Sequence, residues 1–166
     1  MKLVHLNDLT FQHWQTALDT MYSPTLGEHM GVDPNIIAHR PTLEQFYANI
    51  MDAYERNAFQ AWGIIHDGKM VGYTILDKRI GEWEIATVLN DPSLWGSSLG
   101  VRATLHALQW AFEDDEAEWV VAFTQGQDPT VREMLERGGF RPLANMLVMD
   151  KATWQTRWKA RMTKER

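Results

Sequence analysis

The chain contains no cysteine. That single absence removes disulfides, thiolate nucleophiles and cysteine-based zinc sites, so any catalysis must run without a protein thiol. No apolar run approaches the roughly 20 residues of a membrane span, so no membrane partner is expected. The first residues, Met1-Lys2-Leu3-Val4-His5-Leu6-Asn7-Asp8, lack the apolar core of a secretory signal, which points to a cytoplasmic protein. Positive charge is also in deficit, with 16 Lys and Arg against 22 Asp and Glu and a net charge of -6. A nucleic-acid binder needs a basic surface for phosphates, so that class is disfavoured. A cationic amine substrate suits the charge better. Solenoid repeats and low-complexity stretches are missing too. The 166 residues, 45% of them hydrophobic, suffice for a single domain over 1–166 with its own core.

What is present is a changing periodicity. Met1 to Leu6 alternates as a strand. Phe11, Trp14, Leu18, Met21 and Tyr22 fall on one helical face. Ser23 to Arg40, with Pro24, Gly27, Gly31 and Pro34, reads as a long loop, and loops of that length are often functional. Pro41 opens a second helix with the apolar stripe Leu43, Phe46, Tyr47, Ile50, Met51 and Tyr54. Phe59 to His66 and Lys69 to Leu76 form a hairpin around Asp67-Gly68, a favoured two-residue turn. Gly81 turns the chain into a third strand, Glu82 to Leu89.

A turn-rich segment then leads into a helix with Val101, Leu105, Leu108 and Phe112 inward. The acidic run Glu113-Asp114-Asp115-Glu116 ends that helix and reads as a solvated turn. His106 lies off the apolar stripe and reads as a surface residue. Trp119 to Phe123 is a strand buried on both faces. Asp128 caps the next helix, with Pro129 first and Val131, Met134 and Leu135 inward. Leu143 to Met149 makes a last strand, and a basic, Trp-containing tail runs over 151–166. The order β-α-α-β-β-β-α-β-α-β gives an α/β or α+β fold with a mixed sheet, its final crossover right-handed.

The join before the Val101 helix carries the most chemistry. Gly96, Ser97, Ser98 and Gly100 let the backbone turn tightly and approach a ligand closely. A helix start offers unpaired N–H groups and a positive dipole end, which together suit a pyrophosphate. The competing reading is an ordinary glycine-containing loop. No Gly-Lys-Ser/Thr follows, so it is not a Walker loop, and the spacing is not that of a dinucleotide fold.

Three runs taken in order carry a resemblance: Trp83-Glu84-Ile85-Ala86, then Asp91-Pro92-Ser93-Leu94-Trp95-Gly96-Ser97-Ser98-Leu99-Gly100, then Trp110-Ala111-Phe112. Together they resemble the acetyl-CoA-binding core of the GNAT superfamily of N-acetyltransferases. They are most similar to its branch acting on ribosomal-protein N-termini and small amines. The stretch from Asp128 to Phe140 resembles the family's later Asn-x-x-Ser…Leu-Gly-Phe segment. The sequence departs from the family at Ser98, where a glycine is usual, and at Trp95, where Arg or Gln is usual. It also departs at Asp128, Val131 and Leu135, the last standing where many members carry a tyrosine acid.

The resemblance implies a mixed, mostly antiparallel sheet of six to seven strands flanked by helices, with acetyl-CoA as cosubstrate and no metal. Backbone groups near Val88 and Leu89 would pair with the pantetheine arm. Those of Leu94, Trp95, Gly96, Ser97, Ser98, Leu99, Gly100 and Val101, with Asp128, would hold the rest of the coenzyme. Glu84 is the expected general base or amine-binding carboxylate, with burial raising its pKa toward a useful range. Glu82, on the same strand face, and His29, in the long loop, are candidates for substrate contact. For both glutamates a solvated sheet face is the competing reading.

The acceptor implied is a primary amine of a small molecule or a protein, and the tail could pack on a second subunit as a homodimer. The alternative function is a catalytically degenerate module of the same fold that binds CoA, or a protein partner, without turnover.

Overall fold

The computed structural model describes residues 1–78, 81–124 and 129–164. Its strands are β1 (Lys2–His5), β2 (Phe59–His66), β3 (Lys69–Asp77), β4 (Trp83–Leu89), β5 (Trp119–Ala122), β6 (Arg141–Leu143) and β7 (Met146–Asp150). They make one seven-stranded sheet in the order β1-β2-β3-β4-β5-β7-β6. Every neighbouring pair is antiparallel except β4 and β5, which are parallel. The expected mixed α/β sheet is therefore present. The β2–β3 hairpin turns where expected, with Asp67 and Gly68 both at positive φ (49° and 75°), as a tight two-residue turn requires.

The helices are α1 (Phe11–Met21), α2 (Pro24–Met30), α3 (Pro34–Ala38), α4 (Leu43–Glu55), α5 (Ser98–Gln109), α6 (Pro129–Gly138), α7 (Lys151–Trp154) and α8 (Ala160–Met162). Thr10 and Thr42 start α1 and α4 with reciprocal capping boxes. The expected long loop from Ser23 to Arg40 is instead largely α2 and α3. Ser23-Pro24 and Asp33-Pro34 are each an N-cap followed by a proline preset for the first helical turn. Gly31 ends α2 in the left-handed conformation, at φ 69°.

Each face of the sheet buries its own cluster. Trp14, Leu18 and Phe46 of α1 and α4 pack on Phe59, Ala61, Tyr73 and Val88. On the other face Ala107, Leu108, Leu135 and Trp154 pack on Leu76, Trp83, Ile85, Val120 and Met149. Burying one such Leu or Phe side chain contributes roughly 1.5–3 kcal/mol.

Three further expectations are corrected here. The last strand, read as Leu143 to Met149, is a hairpin of β6 and β7 that turns at Ala144, φ 52°. The acidic run after α5 is not a free solvated turn. Asp115 accepts from Trp83 Nε1 at 2.6 Å and Glu113 from Trp154 Nε1 at 3.1 Å, so two buried indoles supply the donors that a helix C-terminus alone lacks. His106 is half-buried and meets the Trp62 ring edge-on at 5.2 Å between centroids.

The tail continues from β7 through α7 and a wide π-type turn to α8. Trp154 stacks on Phe112 and Trp158 Nε1 donates to the Gly138 carbonyl at 2.6 Å, so both indoles are engaged within the chain.

Candidate active site

The parallel pair β4–β5 is matched only at Trp83↔Val120 and Glu84↔Val121. Among the described residues no strand pairing continues beyond those two rungs, and β4 runs on to Leu89 without a strand partner on its β5 side. The Asn90 N–H donates to the Val71 carbonyl on β3. Because backbone groups alternate sides along a strand, Ala86 and Val88 then face β3, and Ile85, Thr87 and Leu89 face the opening. Val88, expected to pair with a pantetheine arm, thus turns its own groups to β3. Thr87 and Leu89 present the strand edge instead. The Leu89 carbonyl accepts from Trp95 Nε1 at 3.0 Å.

Side chains alternate as well. Trp83 and Ile85 join the cluster under α5, whereas Val88 joins the cluster under α1 and α4. Glu84 therefore lies on the α1–α4 side, half-buried, opposite Asp77 of β3. Glu82 precedes the strand and is exposed. A recess of about 480 Å³, partly open to solvent, fills the opening. It is lined by Glu84, Thr87, Thr104 and Leu135, with Met30 of α2 and Phe123 among its apolar walls.

At the C-terminal end of β4 the chain makes a short turn over Pro92–Leu94, held by Asp91 accepting from the Ser93 N–H at 2.8 Å. The hydrogen bonds from Ser93 hold the Asp91 carboxyl below its ordinary pKa. Gly96 then takes φ 80°, and Ser97 caps α5 by accepting from the Leu99 N–H at 3.4 Å. The N–H groups of Ser98 and Gly100 are among those that a helix start leaves without an intrahelical partner. A Cβ at Gly96 would meet nothing within 4 Å, and one at Gly100 would only touch Leu89 and Thr87. The space above this helix end is thus open to an anion, and the residues present fit the pyrophosphate of a coenzyme.

Glu84 lines the recess, Leu89 ends the open edge of β4, and Gly100 of the Leu94–Val101 segment stands beside Leu89 and Thr87. His29 meets that segment through its ring, stacked on Trp95 at 4.1 Å between centroids and 17° between planes. Asp128 lies outside the described residues. Leu135 is buried on the recess wall, so this part of α6 presents no polar group there. Tyr73, on the same sheet face as Val88, is buried; desolvation and the neighbouring Tyr22 raise its hydroxyl well above the usual range, so it stays protonated.

Sequence reasoning missed Thr87, Thr104 and the His29–Trp95 stack. A signal for Thr104 exists, because it stands one helical turn after Gly100 on the buried face of α5. The ring stack joins distant segments and has none. Among the described residues no group of three or more metal-ligating side chains forms, and no helix is long and apolar enough to cross a membrane.

Residues 4–141 match the family model described as an acetyltransferase (GNAT) domain. The fold is similar to a spermidine N-acetyltransferase from Vibrio cholerae solved with CoA and spermine (TM-score 0.74, 10% identity, covering 93% of this chain and 97% of that one). It is also similar to the PaiA N-acetyltransferase from Thermoplasma acidophilum in complex with coenzyme A (TM-score 0.66, 13% identity, 90% and 98% covered). A third similar structure is the aminoglycoside acetyltransferase AAC(6')-Ib with coenzyme A (TM-score 0.66, 15% identity, 94% and 99% covered). At such identities the likeness is one of fold. The family match, on a chain whose β4–β5 opening and α5 start suit a coenzyme, carries the assignment: this chain belongs to the GNAT acetyltransferases and is an acyl-CoA-dependent N-acetyltransferase.

Proposed function

We propose that the chain transfers the acetyl group of acetyl-CoA to a primary amine of a small molecule or protein, by direct attack in a ternary complex. The observation that carries this reading is the position of Glu84. It is half-buried on the wall of a recess that it shares with Thr87, and Thr87 stands beside Gly100 at the start of α5.

In this reading the N–H groups of Ser98 and Gly100 hold the coenzyme's phosphates, and the Thr87 and Leu89 strand edge aligns its arm. Acetyl-CoA supplies the activated acyl group; the protein supplies position and proton handling. Glu84 accepts the proton that the amine must lose, directly or through a water, as nitrogen bonds to the acyl carbon and the carbon–sulfur bond breaks. The backbone N–H groups facing the opening donate to the oxygen on which charge develops. Met30 and His29 of α2, which reach the recess and the Trp95 side of the loop, border the acceptor.

The net charge of -6 favours a cationic acceptor, and the similar structures named above include enzymes of spermidine and of aminoglycosides. Calorimetry with acetyl-CoA, then a panel of polyamines, aminoglycosides and peptide N-termini, tests the proposal. Micromolar coenzyme binding with turnover of an amine is expected. No binding at millimolar coenzyme would sink it. Leu135 on the recess wall motivates a second reading, in which the chain binds CoA without turnover; binding with no acetylated amine across the panel would favour it.

A further inference from the structure

Three threonine hydroxyls run in a chain through the coenzyme side of the site. Thr74 Oγ1 lies 2.7 Å from Thr87 Oγ1, which lies 2.8 Å from Thr104 Oγ1. Thr74 is wholly buried and Thr104 is 7% exposed. Among the described residues the far end of the chain touches a single carbonyl, that of Ala86, at 3.5 Å from Thr74 Oγ1. The near end opens on the recess, which both Thr87 and Thr104 line.

Thr104 differs from three other helical threonines of this protein. Thr16, Thr20 and Thr156 each donate to the carbonyl four residues back, which commits their proton to their own helix. Thr104 bonds instead to a hydroxyl that is both donor and acceptor. Three hydroxyls carry three protons, and the two links between them use two. The third proton points from Thr74 to the distant Ala86 carbonyl, from Thr104 into the recess, or from Thr87 when Thr87 accepts from both neighbours. A 3.5 Å contact holds the first arrangement weakly, so an acceptor in the recess turns the chain around.

Among the described residues lining that recess, only Glu84, Thr87 and Thr104 carry polar side-chain atoms. Glu84 acts as a base. Leu135, Met134 and Val131 offer no proton from α6. We propose that the Thr104 hydroxyl is the hydrogen-bond donor to the coenzyme sulfur as it leaves, with Thr87 and Thr74 as the positioning residues that aim it. The inference rests on the acetyl-transfer reading above. As nitrogen bonds to the acyl carbon, the carbon–sulfur electron pair passes to sulfur. Thr104 donates to that thiolate and keeps its proton. The amine's proton goes to Glu84 or water, and the thiolate takes one from solvent on release. A hydroxyl bonded to an anion is roughly twice as strong a partner as one bonded to a neutral group, so the effect falls on the departing sulfur and not on the thioester.

The test is an ultraviolet titration of the thiol of bound CoA, with calorimetry of CoA and desulfo-CoA alongside. The charged and titratable groups around the chain are Glu84 of β4, Asp77 opposite it on β3, and Arg102 and His106 of α5; all stay in place in Thr104→Val and Thr104→Ser. In the native protein and in Thr104→Ser, the bound thiol is expected to ionise at lower pH than in Thr104→Val, by about tenfold in proton affinity. Desulfo-CoA is expected to bind Thr104→Val and native protein alike. If Thr104→Val does not fold, Thr87→Val interrupts the chain one residue back and is expected to shift the titration the same way.

Equal thiol titrations in native and valine variants, with CoA bound, would overturn the role of Thr104 and leave acetyl transfer standing. Failure of either coenzyme form to bind the native protein would remove both.

Discussion

The His29 imidazole lies flat on the Trp95 indole, 4.1 Å between centroids, while the same indole donates to the Leu89 carbonyl at the end of β4. One side chain thus joins α2 to the end of β4 and to the loop before α5. Aromatic pairs contribute about 0.5–1.5 kcal/mol beyond their buried area. Trp95→Ala is expected to release α2, seen as faster amide hydrogen exchange over Pro24–Met30 with α4 unchanged. Unaltered exchange in α2 would show that the stack holds nothing.

Glu84→Gln removes the carboxylate and keeps the shape. Turnover of any accepted amine is expected to fall by about 10²–10⁴, the usual range for a general base. Acetyl-CoA affinity by calorimetry is expected to stay within twofold, since the proposed coenzyme contacts lie elsewhere (roughly ±0.5 kcal/mol for a substitution that removes no contact). A stopped-assay rate equal to the native one would take Glu84 out of the chemistry.

Gly100→Ala separates folding from binding. The added Cβ meets Leu89 and Thr87 only at 3.9 and 4.0 Å, so the fold accepts it. Alanine in place of glycine stabilises a helix by up to about 1 kcal/mol. The same methyl stands at the helix start where phosphate oxygens would approach. A higher melting temperature together with weaker CoA binding is expected; unchanged binding would move the phosphate site off this loop.

Asp150 caps α7, accepting from the Thr153 N–H at 2.7 Å. The Thr153 bonds first, and Arg141 after them, hold its carboxyl below the ordinary 3.8. A lowered folded pKa means the unfolded chain binds the proton more tightly. The stability from this cap is therefore full above the unfolded value and is lost as pH falls through the folded one. Melting temperatures from pH 6 down to about pH 3 are expected to drop less steeply in Asp150→Asn than in the native chain. Parallel slopes would leave the cap without weight.

Periodicity and turn chemistry made most of this fold legible. The Asp67-Gly68 turn, the α1 and α4 stripes and the strand from Trp83 to Leu89 all appear as their residues dictate. Proline misled the reading of Ser23–Arg40, because the same residue that breaks a loop also opens a helix when a cap precedes it. The candidate site's shape was legible where it is local, as in the turn of small residues that opens α5. It was illegible where partners are far apart: Thr87 meets Thr104 17 residues on, and Trp83 finds Asp115 32 residues on. No short-range pattern announces such contacts. Which edge of β4 is open follows from its register on β3, six paired positions that the Asn90–Val71 bond extends.

The family model ends at residue 141, yet the chain beyond it is built into the cleft. Trp158 and Arg157 donate to the last carbonyls of α6, those of Gly138 and Arg137, and α6 carries the recess wall of Val131, Met134 and Leu135. The tail is in effect a buttress: it shores up from behind a helix whose front lines the recess. A boundary drawn where the family's shared pattern stops would leave that wall without its brace, so trimming this enzyme to its recognised core would loosen the pocket it was meant to isolate.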